Sequence, residues 1–230
     1  MVKPAGQQRR PPRSPARRAR APQRDGDTER RILDAAHAVF VRSGTAGART
    51  QEIAAAAGVN SALLHYYFRS KERLAAAVFL RAAGDLFPAV FGVLVSDLPL
   101  EQKVRRVIEV ELERLSRTPY LPAYVISELA YHPERIHQLL TVVTGEQPGM
   151  LGRSVLTTIQ AQIRAEVRAG RMRPIAPEQF LVNLLSVCIF PFAAQPMFAA
   201  LLGLDGERFT RFIRARRDEL PEFFMRALRE

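Results

Sequence analysis

The stretch Arg49–Leu74 reads RTQEIAAAAGVNSALLHYYFRSKERL and decides the fold of this 230-residue chain. Thr50 opens a predicted short helix through Ala57, and Asn60 can cap a second helix through Tyr67. The three residues between them contain a glycine and suffice only for a turn. The apolar side chains spaced to pack the two helices at a steep angle are Ile53, Ala54, Ala57, Val59 and Leu64. This pattern predicts a helix-turn-helix, whose second helix enters the major groove of DNA.

The side chains that project from the second helix suit contact with DNA, because they are short or aromatic and none is acidic. Ser61 and Ala62 lie at its N-terminal end, where base edges are reached. Histidine and tyrosine side chains further along the helix can donate hydrogen bonds to phosphates. Thr50 and the pair Ser70-Lys71 begin helices, so they offer hydroxyl groups, backbone N–H groups and a cation to phosphates.

This segment resembles the N-terminal domain of the tetracycline-repressor (TetR) family of bacterial regulators, over about Thr28–Leu80. The matching positions are Thr50, Ile53, Ala54, Ala57, Gly58, Val59, Leu64, Tyr66, Tyr67, Phe68, Lys71, Glu72 and Leu74. The chain departs from the family pattern at Asn60, where serine is usual, and at His65, where tyrosine is usual. The resemblance implies DNA contacts by Thr50, Gln51, Ser61, Ala62, His65, Tyr66, Tyr67 and Lys71, and we add Arg49 to this set.

The net charge of +11 favours a polyanionic partner, nucleic acid before an anionic membrane. Residues 1–27 hold eight basic and two acidic groups, a balance of +6. They are rich in arginine and proline and lack helical periodicity, so we predict a disordered arm, either solvated or in nonspecific contact with phosphates. No apolar segment follows its charges, which argues against a secretory signal. Cys188 is the single cysteine and is expected to pack as a small hydrophobic residue.

Helical periodicity dominates after Asp27, and no alternating strand pattern is convincing. We therefore predict an all-α fold with a first helix capped by Asp27 or Thr28, and shorter helices over Pro119–Ala130 and Pro133–Val143. The predicted domains are a disordered arm (1–27), a three-helix helix-turn-helix DNA-binding domain (28–75) and a larger helical ligand-binding and dimerisation domain (76–230). Glu111 and Arg216 fall on otherwise apolar helical stripes.

The segment Phe180–Leu204 contains no charged residue over 25 positions. Its length would suit a membrane span, but its internal prolines and polar residues favour a buried helix of the core or of a dimer interface. The family resemblance implies a homodimer in which the last two helices of each subunit, about 177–203 and 207–228, form a four-helix bundle. The last helix also carries an aromatic stripe, which supports this prediction.

The family resemblance further implies a small-molecule effector that binds the C-terminal domain and releases DNA. Polar or aromatic groups on apolar helices are the candidate pocket residues: Tyr120, Tyr124, Glu128, Gln160, Asn183 and Phe192. Asn183 has apolar neighbours along the chain, so its amide is expected to need a buried partner. The spacing of His132, Glu134 and His137 does not favour a metal site, and we predict neither metal nor cofactor.

These observations predict a ligand-responsive transcriptional repressor that binds a roughly palindromic double-stranded operator as a homodimer and releases it when a small-molecule effector binds. We expect a cytoplasmic, nucleoid-associated bacterial protein rather than a membrane protein. The alternatives are a nonspecific DNA-architectural protein, with a steep salt dependence, and an activator of the same fold. No nucleophile–base set or phosphate-binding loop suggests an enzyme.

Overall fold

The computed structural model of the protein describes residues 21–131, 137, 140–141, 145 and 147–229. Within these residues the chain forms helices and no strand, so the predicted all-α class is confirmed. The helices are α1 (Ala21–Gly47), α2 (Thr50–Ala56), α3 (Ser61–Phe68), α4 (Lys71–Val95), α5 (Leu100–Arg117), α6 (Leu121–Tyr131), α7 (Pro148–Arg168), α8 (Pro177–Ala193), α9 (Gln195–Leu202) and α10 (Gly206–Arg226). The helix predicted over Pro133–Val143 falls mainly outside the described residues.

Helix α1 already includes residues 21–27, so the expectation of a start at Asp27 or Thr28 is wrong. An ion pair of 2.8 Å between Asp27 and Arg30 then links successive turns. Residues 21–27 are therefore helical, and only residues 1–20 of the predicted arm lie outside the described residues.

The first three helices pack around a small cluster of buried side chains, which we call the head cluster. Its members are Ile32, Ala35, Ala36, Val39, Phe40, Ala48, Ile53, Ala54, Ala57, Leu64, Phe68, Leu74, Ala75, Val78 and Tyr120. The turn between α2 and α3 depends on Gly58, whose φ of 64° is costly for residues with a Cβ atom. The Asn60 side chain accepts a 2.7 Å hydrogen bond from the Leu63 N–H, so the predicted cap is confirmed. A cap of this kind contributes about 1 kcal/mol.

Helix α4 joins the head cluster to a larger cluster, the body cluster, built from α4–α8 and α10. Leu74 and Val78 belong to the head cluster, whereas Leu86, Val90 and Leu94 belong to the body cluster. Its length and composition alone would allow α4 to cross a membrane. Its packing in both clusters accounts for that apolar composition.

The apolar segment after Pro177 forms two helices, not the single helix predicted over 177–203. Helix α8 ends at Ala193, and α9 continues at an angle of 67°. Pro196 lies in the first turn of α9, where proline is favoured. A continuous apolar pattern conceals this break because the residues on both sides of it remain hydrophobic.

Pro191 lies inside α8 and cannot donate to the carbonyl of Val187, four residues earlier. The Arg216 guanidinium of α10 takes over this role, with its Nη2 donating to the Val187 oxygen at 2.8 Å. This contact explains why a charged residue lies on the apolar stripe of α10. It ties α8 to α10 at the proline.

Two charged residues of α5 are buried in the body, Lys103 and Glu111. The Lys103 ammonium donates a 2.9 Å hydrogen bond to the Leu94 carbonyl near the end of α4, where the helix supplies no partner. Burial raises the pKa of Glu111 to about 8, against a smaller opposing effect of its hydrogen bond with Cys188. Its Oε2 atom has no hydrogen-bond partner. Cys188 is fully buried, so its expected packing as a hydrophobic residue is confirmed.

Candidate nucleic-acid interface

Helix α3 presents an exposed, mainly polar and aromatic surface because Leu64 and Phe68 point into the head. These two residues, four positions apart, are buried in the head cluster. Tyr67 is half-buried, and the other residues of α3 are exposed: Ser61, Ala62, Leu63, His65 and Tyr66. Tyr66 exposes 74% of its surface. A large aromatic side chain held this far into solvent indicates a binding surface.

The N-terminal end of α3 carries the smallest of these side chains. Ser61 and Ala62 are exposed in the first turn, directly after the Asn60 cap. Small residues allow this end of the helix to approach base edges closely, and the serine hydroxyl can donate or accept there. This is the geometry in which a recognition helix reads the major groove.

Tyr67 contacts the N-terminal part of α1, which lies before the predicted helix start. Its hydroxyl donates a 3.0 Å hydrogen bond to the Asp25 carboxylate, which precedes it by 42 residues. Desolvation, together with the Asp25 carboxylate, raises the pKa of this hydroxyl. A phosphate that accepts a hydrogen bond from Tyr67 would therefore compete with Asp25, and the carboxylate itself would repel that phosphate.

His65 uses one ring nitrogen within the protein. Its Nδ1 lies 3.1 Å from the Arg69 carbonyl oxygen, which can only accept, so Nδ1 carries the hydrogen. The other nitrogen, Nε2, is then a donor only when the ring is protonated. Arg69 itself adopts a φ of 62° at the end of α3, a conformation that is uncommon for a residue other than glycine. This strained position adds an exposed cation beside α3.

Lys71, at the start of α4, donates hydrogen bonds to two carbonyls before α2. The distances from its Nζ are 3.1 Å to the Ala46 oxygen and 3.2 Å to the Ala48 oxygen. The ammonium therefore fixes the link between α1 and α2 and retains one further N–H for a phosphate. The Ser70 hydroxyl caps α4 by accepting from the Arg73 N–H, as predicted.

Helix α2 adds the remaining predicted DNA contacts. Arg49 and Gln51 are exposed and Thr50 is half-buried at the helix start. The acidic residue of this turn, Glu52, forms an ion pair with Arg42 of α1. Its charge is thereby partly compensated near a surface that would face phosphates.

The structure places the nine predicted DNA-contact residues on α2 and α3, at Arg49 directly before α2, and at the first residue of α4. All of them are exposed or half-buried: Arg49, Thr50, Gln51, Ser61, Ala62, His65, Tyr66, Tyr67 and Lys71. Sequence reasoning missed Asp25 and Arg69. The charge of Arg69 was visible directly after the aromatic triplet, whereas nothing local indicates that Asp25 lies beside Tyr67.

The predicted effector residues do not form one constellation within the described residues. Tyr120 belongs to the head cluster, and Phe192 is buried in the body cluster, where it packs edge to face on Phe209 with the ring centroids 5.5 Å apart. Tyr124 packs on Phe79 between the two clusters. The position of Glu128 falls within α6, but its side chain lies outside what the structure describes.

Gln160 and Asn183 lie apart from the other candidate effector residues and from each other. Gln160 lines an open cavity of about 550 Å³ between α7 and the start of α8, together with Ile163, Arg164, Val167 and Arg168. Asn183 is exposed, so the expectation of a buried partner within the chain is wrong. The buried face of α8 instead follows Phe180, Leu184 and Cys188, four residues apart. Chain neighbours that are apolar do not place a helical residue on that face.

No group of three or more potential metal ligands occurs within the part of the chain that the structure describes. His132 and Glu134 lie outside that part.

Comparison with known proteins matches the part of the chain that contains α2 and α3 to a family of DNA-binding regulators. A family model described as bacterial regulatory proteins, tetR family, matches residues 32–78. The chain is 31% identical over 151 residues to the HTH-type transcriptional regulator RutR of Escherichia coli O157:H7, a match that covers 65% of this chain and 66% of that regulator. It is also 31% identical over 103 residues to the HTH-type transcriptional regulator BetI of Rhizobium meliloti, covering 45% of this chain and 49% of that regulator.

Solved structures extend the likeness of fold beyond the head. HlyIIR, a hemolysin II transcriptional regulator, superposes with a TM-score of 0.55 at 20% identity, covering 90% of this chain and 99% of that one. The ketosteroid transcriptional regulator KstR2 of Mycobacterium tuberculosis gives 0.59 at 13% identity, covering 90% and 95%. The helical body behind the head therefore also has the architecture of these regulators.

Proposed function

Because the chain belongs to the tetR family of bacterial regulatory proteins, we propose that it is a ligand-responsive repressor that binds a palindromic operator as a homodimer. The observation that carries the proposal is the exposed face of α3. Tyr66 and the small residues Ser61 and Ala62 are exposed on a helix whose opposite face is buried through Leu64 and Phe68. Such a surface serves no purpose in the packing of the head and suits the major groove.

We assign two roles to the predicted contact residues. Ser61 and Ala62 read base edges, whereas Tyr66, Lys71 and the start of α2 bind phosphates. His65 contributes a contact to the DNA backbone through Nε2, since Nδ1 is bonded to the Arg69 carbonyl. Tyr67 does so on release from Asp25. The Arg-rich segment before α1 adds nonspecific attraction to DNA.

The homodimer is supported by an apolar surface on the last three helices. Several large hydrophobic residues there expose more than half of their surface in the single chain: Val182, Phe190, Leu201, Leu202 and Phe223. A patch of this kind is costly in water and is relieved when a second copy covers it. The twofold axis of such a dimer places two α3 helices on successive turns of one DNA face, or a multiple of a turn apart.

The effector is a small molecule that binds the body, and Gln160 is the candidate residue that lines a cavity there, between α7 and the start of α8. Its release of DNA requires that it bind one arrangement of the body more tightly than the other. The function places the protein in the bacterial cytoplasm, associated with the nucleoid. Repression rather than activation depends on the position of the operator and is tested with a reporter gene in the source organism.

The proposal is tested by competition between a duplex recovered by selection and a random duplex of equal length at fixed salt. A specific regulator prefers its operator by about 10³-fold or more. Equal competition, with a steep salt dependence for both duplexes, would instead identify a nonspecific architectural protein. Weakened operator binding in the presence of one compound from a metabolite panel would support the effector response.

A further inference from the structure

We propose that a hydrogen bond between His37 and Tyr120 fixes the orientation of the head on the body and thereby sets the spacing between the two half-sites that the dimer accepts. This inference rests on the proposed function, because it requires a dimer that reads a palindrome. It assigns Tyr120 a positioning role in place of the predicted effector contact.

The two residues come from opposite parts of the chain. His37 lies in α1, within the head, and Tyr120 lies in the connection between α5 and α6, two helices of the body. The Tyr120 hydroxyl is 3.0 Å from His37 Nδ1, although 83 residues separate the two. Their rings also meet edge to face, with centroids 5.7 Å apart. The contact therefore combines a directional hydrogen bond with aromatic packing.

Tyr120 is built into the head rather than into the body. It exposes only 9% of its surface. Among the residues that the structure describes, it is the only buried member of the head cluster that follows α4 in the chain. Its ring packs edge to face on Phe40 at 6.0 Å. The next turn of α6 places Tyr124 against Phe79 of α4. The connection from α5 to α6 is thus docked on the head by one buried aromatic side chain.

The end of α5 also acts on His37. Desolvation lowers the pKa of this histidine, and the backbone of Arg117, the last residue of α5, opposes that shift. His37 therefore joins α1 to both sides of the α5–α6 junction. Nearby, the Arg81–Asp34 ion pair, at 2.9 Å, ties α4 to α1 on an exposed surface.

These contacts restrain a rotation that the covalent connection alone would allow. The chain passes from head to body only through α4, whose first turns are buried in the head cluster and whose later turns are buried in the body cluster. A bend or twist along α4 between the two clusters would turn the head on the body. The contacts of Tyr120 with His37 and Phe40 restrain that motion because they attach the head to the body at a second place. In a dimer a small rotation of each head changes the separation of the two α3 helices, which determines the half-site spacing that fits.

The test is a spacer series. Two copies of the half-site selected by the full-length protein are placed in duplexes whose spacer is one or two base pairs shorter, equal, or longer than the selected one. Tyr120→Phe removes only the hydroxyl and keeps the ring. Loss of one internal hydrogen bond corresponds to about a fivefold change in an equilibrium constant. We expect the variant to bind the best spacer about fivefold more weakly, with little or no loss at the other spacers and an unchanged base preference within the half-site.

Matched variants separate positioning from a loss of stability. His37→Asn retains an acceptor near the Nδ1 position and should keep the wild-type spacer profile, whereas His37→Ala should broaden it. Ser116→Ala deletes a hydroxyl that bonds only within α5, to the Leu112 carbonyl, and should leave the profile unchanged. Circular dichroism and thermal unfolding confirm that each variant is folded.

The outcomes are distinguishable. A narrow spacer profile in wild type that broadens in Tyr120→Phe and His37→Ala supports the inference. If Tyr120→Phe shows the wild-type spacer profile, or loses the same affinity at every spacer, the inference is refuted. The proposed function as an operator-binding dimer would still stand. If wild type prefers no spacing at all, the palindromic dimer itself is refuted, and the inference with it.

Discussion

The head and the body differ in what their surfaces and interiors hold. The outer face of α3 is polar and aromatic, with Tyr66 as its most exposed large residue, and the core beneath it is entirely apolar apart from Tyr120. The body shows the reverse arrangement on α8 and α9, which expose the hydrophobic residues Val182, Phe190, Leu201 and Leu202. Helix α10 also exposes Phe223, together with charged residues. The interior of the body holds the charged groups Lys103 and Glu111.

This contrast indicates two kinds of partner. A polar, cationic surface on a small rigid core suits a hydrated polyanion, which is bound through hydrogen bonds and charge. An apolar surface suits a partner that removes it from water, here a second copy of the chain. The charges inside the body make its packing sensitive to protonation and to bound groups, which an apolar core would not be.

The largest expected effect follows from replacing an exposed hydrophobic residue of the proposed dimer surface by a charged one. Phe223→Glu places a charge on the exposed face of α10 and should yield a monomer in analytical ultracentrifugation. Affinity for the palindrome should fall by about a hundredfold, because the two heads lose their mutual effective concentration. Leu80→Glu is the control for the oligomeric state, since Leu80 is exposed by 37% on α4, outside the three helices of the proposed interface. A Phe223→Glu protein that remains dimeric would refute the proposed interface.

On the head, Tyr66→Ala should weaken operator binding by about tenfold while the dimer is retained. The expected size is that of a lost hydrogen bond to a charged group. Tyr66→Phe separates the hydroxyl from the ring, and fluorescence anisotropy with a labelled operator measures both variants. If the phenylalanine variant loses as much as the alanine variant, the hydroxyl carries the contact. If neither loses affinity, Tyr66 does not touch DNA.

The charged interior of the body should make its stability depend on pH. The pKa of Glu111 rises from 4.5 to about 8 in the folded protein, so the folded state binds a proton that the unfolded state releases. The free energy of unfolding should therefore fall as pH rises from about 4.5 to about 8, by at most about 1.4 kcal/mol per pH unit from this group. Glu111→Gln should flatten this slope in urea unfolding at several pH values. An unchanged slope would show that Glu111 does not titrate in this range.

The smallest expected effect concerns the acidic residue beside the α3 surface. Asp25→Asn keeps an acceptor for the Tyr67 hydroxyl but removes the negative charge, so affinity for DNA should rise about threefold at low salt. The gain should shrink as salt is added, because exposed charges are screened. Asp218→Asn, on α10, is the control and should have no effect. A loss of affinity in Asp25→Asn would mean that the carboxylate orders the head rather than repels phosphate.

The head could be predicted from sequence because its determinants are local. Asn60 and Ser70 cap the helices that follow them, and both bonds span three residues. The apolar spacing from Ile53 to Leu64 fixes the packing of α2 on α3. Interactions of this range are encoded in the order of residues, so a short motif is sufficient to specify them.

The contacts that tie the parts together are not local and were not predicted. Asp25 reaches Tyr67 and His37 reaches Tyr120 across 42 and 83 residues, which no periodicity records. The break at Ala194 was missed because hydrophobic residues continue on both sides of it. Glu111 and Arg216 were visible as charges on apolar stripes, but only the packing of three helices shows that one is buried and the other replaces the donor that Pro191 lacks.

Selection of bound sequences from a random pool of double-stranded DNA tests the central claim most directly. The purified full-length protein should enrich a palindrome whose two half-sites are centred about one helical turn, or a multiple of one, apart. Substitution of Ser61 should change the enriched bases within each half-site and leave their spacing unchanged. A pool that shows no palindrome after repeated rounds, although DNA is retained, would contradict the account.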